Sequence, residues 1–313
     1  MTDLFPPLLH NASSRDRDVW ARWVLGSHSD QFLPEMLQAV EKLDLEQPIA
    51  YGAPQLHPSP KTSDLLVVTS ERGCHSFVVD CPLSVRVVLL DVTGSGFLAG
   101  ANPWGWEQIS VQCEGMGDVL DFVWRYLMPD PADSYLGVLC DDVMIRASDI
   151  HLLLSIARLH GLTAAQPSVA HNHELSLEYG FLRQKPCQTM HRVPMVEVMA
   201  PFIRRDLFEL ALPFNRGTRS AYGLDRFALP LCAFHLGAWR FAAIDLTPMS
   251  HIRRGRTIDR RYSNGLYSKE EELLVRYRLM LAMDSQIDRN RYRQLEAAVE
   301  PLLQGQTVSP ERP

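Results

Sequence analysis

Two adjacent aspartates follow a short run of apolar residues near the middle of the chain. Tyr135-Leu136-Gly137-Val138-Leu139 leads into Cys140-Asp141-Asp142. Such a run predicts a buried strand, and acids at its end lie at the carboxyl edge of an open sheet, where ligands of α/β folds bind. Hard cations such as Mg²⁺ or Mn²⁺ prefer carboxylate oxygens and complete their coordination with water and substrate phosphates. Asp141 and Asp142 therefore predict a divalent cation site that also binds a nucleotide diphosphate.

A local role is the alternative for this pair, because two aspartates after a strand are also typical of a turn followed by a helix N-cap.

Two further carboxylates, Glu197 and Asp225, leave a similar choice between a functional and a local role. The alternation over residues 195–200 predicts a strand in which Glu197 faces opposite to its apolar neighbours, towards a substrate or towards water. Gly223 tolerates unusual backbone angles, so Gly223-Leu224-Asp225 predicts either a turn that presents the acid to a cleft or the start of a helix kinked at Pro230.

Histidines and arginines that could bind a metal or a phosphate occur in two segments, residues 248–254 and 167–194. His251 lies in the loop predicted for residues 248–252, after a predicted strand at 241–245, and Arg253 and Arg254 come directly after it. Guanidinium groups bind phosphate oxygens through paired hydrogen bonds, so these arginines are candidates for a diphosphate site; a solvated basic loop explains them equally well. In the polar segment 167–194 no acid stands at metal-ligand spacing, so we expect a loop with solvated imidazoles at three positions, His171, His173 and His191.

Several segments between about residues 107 and 256, roughly half of the chain, together resemble a known family. They are similar, in the same order, to plant and bacterial proteins described as lysine-ketoglutarate reductase trans-splicing-related. An ordered set of this kind is more specific than any single motif. The segments are Arg125-Tyr126-Leu127-Met128-Pro129, Tyr135 with Leu139-Cys140-Asp141-Asp142, the Gln166-Pro167 turn, Val196-Glu197-Val198-Met199-Ala200-Pro201-Phe202, Tyr222-Gly223-Leu224-Asp225, Ile244-Asp245 and His251.

The resemblance implies a GT-A-like, Rossmann-type α/β/α sandwich with a mostly parallel central sheet, plus N- and C-terminal helical appendages. It also implies functional roles for the matching residues. Asp141 and Asp142 would bind the metal and the nucleotide-sugar, and His251 would complete the metal coordination. Asp225 would serve the acceptor, and Glu197 would face the substrate as a second catalytic residue. Arg253 and Arg254 would then bind the diphosphate beside the metal.

Two departures from the family pattern affect these roles. Cys140 stands where the family usually has an acid ahead of the pair, and cysteine is a soft ligand that suits Mg²⁺ poorly. We therefore expect Cys140 to be a small buried residue and the metal to be held by fewer carboxylates. Gly117-Asp118-Val119-Leu120-Asp121 replaces a lysine-tryptophan segment of the family, so no substrate contact of that lysine is transferred to this chain.

Composition is typical of a soluble enzyme. The chain has 313 residues, 46% of them hydrophobic, which is enough for a sizeable core. No apolar run has the length of a transmembrane helix and the first residues do not resemble a signal peptide, so we expect a cytoplasmic protein. The six scattered cysteines form no CxxC pair and indicate neither a zinc site nor a disulfide framework. A net charge of −6 makes nucleic acid an unexpected partner.

Three regions are predicted along the chain. Residues 1–62 form a helical extension, with helices at 16–25 and 33–43, followed by a proline-rich linker. Residues 63–262 form the catalytic domain, with helices at 115–128 and, capped by Ser148 or Asp149, up to Gly161. Residues 263–313 form a helical segment that begins with a Ser-Lys-Glu-Glu capping box and packs on the core or forms a homo-oligomer.

We therefore expect a metal-dependent glycosyltransferase that uses Mn²⁺ or Mg²⁺ to move a sugar from a nucleotide-sugar donor to an acceptor hydroxyl, for example that of a glycan. A non-catalytic nucleotide- or glycan-binding module with the same fold is the alternative, and Cys140 favours it if metal binding has been lost. A third interpretation, nucleic-acid binding through the arginines after His251, predicts strongly salt-dependent affinity and gains nothing from the acidic net charge.

Overall fold

The computed structural model describes residues 8, 9, 12, 13, 17, 20–22, 24, 63–129, 131–170, 177–252, 260–284 and 286–304, with the backbone alone for 298–304. Of the two predicted N-terminal helices, only positions 17, 20–22 and 24 are among these residues, and they are helical. The predicted helix at 33–43 and most of the linker lie outside the described residues. Arg253, Arg254, His171 and His173 lie outside them as well.

One sheet organises the described residues, and its strands are β1 (Leu65–Ser70), β2 (Arg86–Asp91), β3 (Glu107–Ser110), β4 (Tyr135–Leu139), β5 (Val143–Met144), β6 (Ala164–Val169), β7 (Met190–Arg192), β8 (Phe202–Arg204) and β9 (Phe241–His251). The order across the sheet is β3-β2-β1-β4-β8-β6-β9-β5, and β7 pairs with β9. β1, β2, β3, β4, β6 and β9 run in one direction, and β5, β7 and β8 run in the other. This confirms the predicted α/β fold with a mostly parallel central sheet.

The helices fall between and after these strands. They are α1 (Met116–Tyr126), α2 (Ala147–Leu159), α3 (Arg205–Ala211), α4 (Leu229–His235), α5 (Ser268–Ala282) and α6 (Arg289–Gln304). Short 3-10 helices cover Leu177–Leu182 and Leu212–Asn215, and a π-helical turn covers Leu224–Ala228. Pro230 lies in the first turn of α4, where a missing N–H is tolerated, so the π-helical turn continues directly into α4.

The central strands are buried along their whole length, which explains why their sequences are continuous rather than alternating apolar runs. All residues of β1 and of β4 are buried. Parallel strands covered on both faces give this pattern. The strands predicted from the apolar runs at residues 65–69 and 85–91 are confirmed as β1 and β2.

The turn predicted at Gln166-Pro167 is wrong, because this segment belongs to β6. Both residues lie inside the strand and pair with Ala243 and Ile244 of β9. Proline lacks the N–H that a strand between two partners would use. The other neighbour, β8, pairs only with Ala164 and Ala165, so β6 tolerates Pro167 beyond the end of that pairing. The register with β9 then shifts before Val169.

The cap predicted for helix α2 is wrong. Neither Ser148 nor Asp149 caps the helix; instead Asp80, from a distant loop, accepts hydrogen bonds from the N–H (3.0 Å) and the hydroxyl (2.6 Å) of Ser148. The carboxylate satisfies an N–H of the first turn that has no partner within the helix. The loop after β1 is thereby attached to α2.

The C-terminal helices pack against the rest of the protein. Leu274, Val275 and Leu279 of α5 are buried. Arg278 of α5 is 1% exposed, and its guanidinium bonds to Glu296 of α6 (2.7 Å) and to the carbonyl of Phe214 (3.0 Å). The capping box predicted here is offset by one residue, because Glu270 accepts the N–H of Tyr267.

Within the described ranges, none of the helices combines the length and apolar character needed to span a bilayer.

Candidate functional site

The strand order reverses between β1 and β4. β2 and β3 follow β1 on one side of it, whereas β4 pairs on the other side. In open α/β sheets, ligands bind in the crevice beyond the carboxyl ends of the strands at such a point. Asp141 and Asp142 come directly after β4, and the carbonyl of Asp141 accepts the N–H of Ser76 from the loop after β1 (2.7 Å). The two loops at the reversal are therefore joined.

Asp142 and His251 form a hydrogen-bonded pair. Nε2 of His251 lies 3.0 Å from Oδ2 of Asp142. A loop was predicted at residues 248–252, but strand β9 continues to His251. His251 pairs there with Val143 of β5. The N–H of Ile252 also bonds to the carbonyl of Asp142 (2.9 Å). Strand pairing thus fixes the position of a histidine that the sequence placed in a loop.

The Asp142–His251 pair offers one carboxylate and one imidazole to a cation. No group of three or more histidine, cysteine, aspartate or glutamate side chains in the described part of the chain is arranged around a common metal position. Divalent cations bound with phosphates commonly use only one or two protein ligands and take the others from water and the substrate. The donor set fits a cation of that kind and does not fit a metal site made of protein ligands alone.

Cys140 is unsuited to join this donor set. Burial, followed by the nearby charges of Glu197, Asp142 and Asp141, raises the pKa of the thiol well above 9.0. The thiolate, rather than the thiol, binds metals, and here the thiol is strongly favoured. The backbone N–H of Cys140 bonds to the carbonyl of Met199 (2.9 Å). This contact places the segment around Glu197 beside the loop after β4.

Glu197 lies in an irregular segment, so the strand predicted at 195–200 is wrong. Its N–H bonds to the side-chain oxygen of Gln166 (2.5 Å) rather than to a neighbouring strand. Its own Oε2 accepts the N–H of Met199 (2.8 Å). Burial and then the charge of Asp225 raise the pKa of the Glu197 carboxyl to about 7, against the opposing effects of the Met199 N–H, His251 and Arg226.

Asp225 follows a strained turn. Ala221 (φ 63°) and Gly223 (φ 92°) both have left-handed backbone conformations, and a Cβ on Gly223 would lie 3.2 Å from the Cβ of Val275. Strain of this kind in a non-glycine residue such as Ala221 clusters at functional sites. Asp225 is the second residue of the π-helical turn, is 6% exposed, and has a pKa raised to about 6, mainly by burial. Both the predicted turn and the predicted helix start are present.

Arg226 and Tyr179 are part of the same site, and sequence reasoning missed both. Nη2 of Arg226 donates to the hydroxyl of Tyr179 (2.7 Å), and the guanidinium lies 5.3 Å from the centre of the tyrosine ring. Burial and then the charge of Asp225 raise the pKa of the Tyr179 phenol, which therefore stays neutral. The positive charge of Arg226 lowers the pKa values of both Glu197 and Asp225, so it limits the effect of burial on them.

His191 is not a solvated loop residue, as the sequence predicted. It is 5% exposed, with Nδ1 at 2.7 Å from Oδ2 of Asp245 and Nε2 at 2.6 Å from the carbonyl of Phe181. Both ring nitrogens therefore lie within hydrogen-bond distance of an oxygen atom. Asp245 also accepts the N–H of Lys185 (2.7 Å). This pair has a structural role: it attaches the segment that carries Tyr179 to β9.

Asp91, at the carboxyl end of β2, was also missed. It accepts hydrogen bonds from the N–H groups of Arg72 (2.9 Å), Thr93 (3.1 Å) and Gly96 (2.9 Å), and from the hydroxyl of Ser110 (2.6 Å). Burial would raise its pKa, but these hydrogen bonds outweigh burial and lower it to about 2. The signal in the sequence was an acid at the end of an apolar strand, followed after Val92 by Thr93-Gly94-Ser95-Gly96.

Comparison with protein-family models and with curated proteins finds no match, so the resemblance to the trans-splicing-related family stays a prediction. Among solved structures, a mannosyltransferase from Pyrobaculum calidifontis in complex with GDP-Man and Mn²⁺ aligns over 90% of this chain and 81% of its own, with 10% identity and a TM-score of 0.45. GalNAc-T7 with UDP, GalNAc and Mn²⁺ aligns over 68% of this chain and 47% of its own, with 11% identity and a TM-score of 0.41. TarS from S. aureus in complex with UDP-GlcNAc aligns over 77% of this chain and 71% of its own, with 10% identity and a TM-score of 0.42. Similarity at this level assigns neither an activity nor a ligand to this chain.

Proposed function

We propose that the chain is a glycosyltransferase that moves a sugar from a nucleotide-sugar donor to an acceptor hydroxyl. One observation carries the proposal: a carboxylate–imidazole pair, Asp142–His251, lies beside two acids with raised pKa, Glu197 and Asp225, at the reversal in strand order. Glycosyl transfer from a nucleotide diphosphate needs stabilisation of the leaving diphosphate and acceptance of a proton. Asp142 and His251 would supply the first through a bound cation, and Glu197 and Asp225 would supply the second.

Asp142 and His251 would hold the cation, with Asp141 beside them. A bound Mn²⁺ or Mg²⁺ supplies charge that stabilises the diphosphate as it leaves. The pairing of β5 with β9 holds Asp142 and His251 in a fixed relation, so neither side chain has to be ordered when the donor binds. Arg253 and Arg254, directly after His251, stay candidates for additional contacts to the diphosphate.

Asp225 is the proposed general base. The bond from the anomeric carbon of the donor sugar to the diphosphate oxygen breaks, and its electrons remain on the diphosphate. The acceptor oxygen forms the new bond to that carbon, and its proton passes to the carboxylate of Asp225. A base is most effective with a pKa near the working pH, and a pKa of about 6 leaves the carboxylate ionised yet basic at neutral pH.

Glu197 has the higher pKa, about 7, and its proximity to Asp225 makes it the second catalytic candidate. A protonated Glu197 can donate a hydrogen bond to a substrate oxygen while Asp225 remains ionised. Two interacting acids divide the protonation states in this way when their environments separate their pKa values. Arg226, held by Tyr179, favours the ionised form of Asp225.

The test measures binding and turnover separately. We expect UDP, GDP or one of their sugars to raise the melting temperature in the presence of Mn²⁺ but not of EDTA, because a ligand that binds the folded state stabilises it. Release of the nucleoside diphosphate then reports transfer to an acceptor or to water. Asp142→Ala should abolish the Mn²⁺-dependent shift while the unliganded protein melts as before, whereas Asp133→Ala, an exposed aspartate before β4, should leave the shift intact. An unchanged Mn²⁺-dependent affinity in Asp142→Ala would refute the metal role.

A non-catalytic nucleotide- or glycan-binding module is the second candidate, favoured by the small number of metal ligands and by Cys140 in place of an acid. It predicts Mn²⁺-dependent or Mn²⁺-independent binding of nucleotides without release of the diphosphate under any condition. Binding together with turnover excludes this candidate, and binding without turnover excludes the enzyme.

A further inference from the structure

A groove of about 710 Å³ opens on the side of the sheet where β2 and β3 begin. Pro82, Leu83, Trp104 and Trp106 line it together with three charged residues, Asp80, Arg86 and Glu107. Arg86 is the first residue of β2 and Glu107 the first of β3, so the groove lies towards the opposite ends of these strands from the candidate functional site. A strand of six residues is about 20 Å long, which separates the two sites.

Two stacked indoles form a flat platform in this groove. The ring centres of Trp104 and Trp106 are 4.7 Å apart and their planes differ by 24°. His75 packs against both indoles, at 5.9 Å from Trp104 and 6.2 Å from Trp106, and Phe77 lies 6.1 Å from Trp106; Trp104 is still 43% exposed. Trp104 is therefore supported by Trp106 and His75 and keeps a large part of its ring accessible to solvent.

The backbone that carries the platform is fixed before any ligand binds. The side chain of Asn102 accepts the N–H of Trp106 (3.0 Å) and donates to the carbonyl of the same residue (2.7 Å). Gly105, between the two tryptophans, has φ 69°, a conformation that favours glycine. An exposed aromatic ring on a restrained loop loses little freedom when it packs against a ligand, which favours binding.

Exposed hydrogen-bonding groups lie in the same groove. Nη2 of Arg86 and Oε2 of Glu107 form an ion pair at 2.8 Å, and the two side chains are 47% and 44% exposed. Carboxylate and guanidinium groups each bind neighbouring hydroxyls through two atoms in one plane. An aromatic face flanked by such groups matches a ligand with an apolar ring face and a polar rim.

We propose that this groove binds a neutral saccharide, with a sugar ring packed on the exposed face of Trp104 and its hydroxyls bonded to Arg86 and Glu107. The C–H groups on one face of a sugar ring are apolar and weakly positive, which complements the negative face of an indole. Ligand sites generally combine aromatic surface with a few polar groups in this way. The site is separate from the glycosyl-transfer site and does not depend on that proposed function.

Two other ligand classes fit the groove less well. A nucleotide could stack on Trp104, but its phosphates would meet Asp80 and Glu107, with Arg86 as the one cation among the lining residues described. A quaternary ammonium group needs aromatic faces on several sides of the cation. Trp104 and Trp106 are nearly parallel and stacked on each other, so they present one face rather than a cage.

The test titrates the full chain with four neutral probes, maltohexaose, cellohexaose, chitohexaose and mannohexaose, and follows calorimetry and tryptophan fluorescence. We expect at least one probe to bind and to shift the fluorescence of the exposed indole. Trp104→Ala should weaken that binding by about tenfold or more, as is typical of a central aromatic contact. Trp104→Phe should retain most of it. The matched control, Tyr126→Ala, removes an aromatic ring that is also 43% exposed, on α1, and should leave binding unchanged.

Several results would overturn the proposal. These are the failure of all four probes to bind, equal binding by Trp104→Ala, and binding of AMP or choline at Trp104 in preference to every saccharide. If Trp104→Ala does not fold, Glu107→Gln decides, because it removes one hydrogen-bonding charge and keeps both indoles: we expect at least about threefold weaker binding, and unchanged affinity would contradict the proposal. Asp142→Ala should bind the saccharide normally, which separates this site from the proposed glycosyl-transfer site.

Discussion

Replacement of Asp225 by asparagine should stabilise the protein above neutral pH. Asp225 is buried, and burial, the largest influence on it, raises the pKa of its carboxyl from 3.8 to about 6. In the unfolded chain the same carboxyl returns to its ordinary pKa of about 3.9. The folded state therefore binds the proton more tightly than the unfolded state does. The free energy of unfolding contributed by this group falls as the pH rises from about 4 to about 6, and the loss is complete above pH 7.

The size of this effect follows from the two pKa values. A rise from 3.8 to about 6, at about 1.36 kcal/mol for each pKa unit, corresponds to about 3 kcal/mol. Asparagine removes the charge and keeps an oxygen that can accept the N–H of Arg226, at 2.8 Å in the present structure. The attraction to the Arg226 guanidinium is already included in this pKa, and any poorer fit of the amide lowers the gain, so about 3 kcal/mol is an upper limit. We expect a gain of about 1–3 kcal/mol at pH 8 and a gain near zero at pH 4.

Urea unfolding of both proteins at pH 4, 6 and 8 checks this expectation. The matched control is Glu209→Gln, which neutralises a carboxylate that is 57% exposed and should change stability by less than about 0.5 kcal/mol at each pH. A gain that is the same at all three pH values would show that asparagine acts through packing rather than through charge. A loss of stability at pH 8 would refute the conclusion that the buried carboxylate destabilises the fold.

Three further outcomes are expected. Asp225→Asn should bind the donor with near-normal affinity and transfer the sugar roughly a hundredfold more slowly, measured by donor calorimetry and product formation; transfer at the parental rate would show that Asp225 is not the base. For the parent, kcat/KM should rise with an inflection near pH 6, because Asp225 loses its proton, and fall with an inflection near pH 7, because Glu197 loses its proton; the fall near pH 7 should disappear in Glu197→Gln. Gly223→Ala should lower the free energy of unfolding by about 1–3 kcal/mol in urea, because alanine resists the positive φ and its Cβ meets Val275. Unchanged stability in that variant would mean that the turn relaxes without cost.

The sheet could be predicted because its physical origin is local in the sequence. Strands buried on both faces must be apolar throughout, so β1, β2 and β4 appear as continuous runs. An acid directly after such a run must lie at the sheet edge, which is how Asp142 was found. Helix α1 could be predicted in the same way, from apolar residues at helical spacing.

Contacts between distant residues left no such signal. The alternation around Glu197 resembled a strand, yet its N–H bonds to the side chain of Gln166, which no periodicity describes. Tyr179 meets Arg226, 47 residues away, through a hydroxyl and a ring face, although Tyr179 belongs to a polar segment without strand or helix periodicity. Asp80 caps α2 from 68 residues away and thereby replaces the local cap that Ser148 predicted. In each case, the partner is set by the tertiary fold and not by neighbouring residues.

Strand β9 has a consequence for how the site assembles. At Asp245 it holds His191 and, through it, the segment that delivers Tyr179; at its last residue it holds Asp142 through His251, 109 positions away. A single strand therefore sets the distance between the two halves of the site. A one-residue deletion between Asp245 and His251 would reverse the face of one of them relative to the other. Because these contacts close long loops, we expect the site to form late in folding, after the local helices and the β1–β2 pairing are complete.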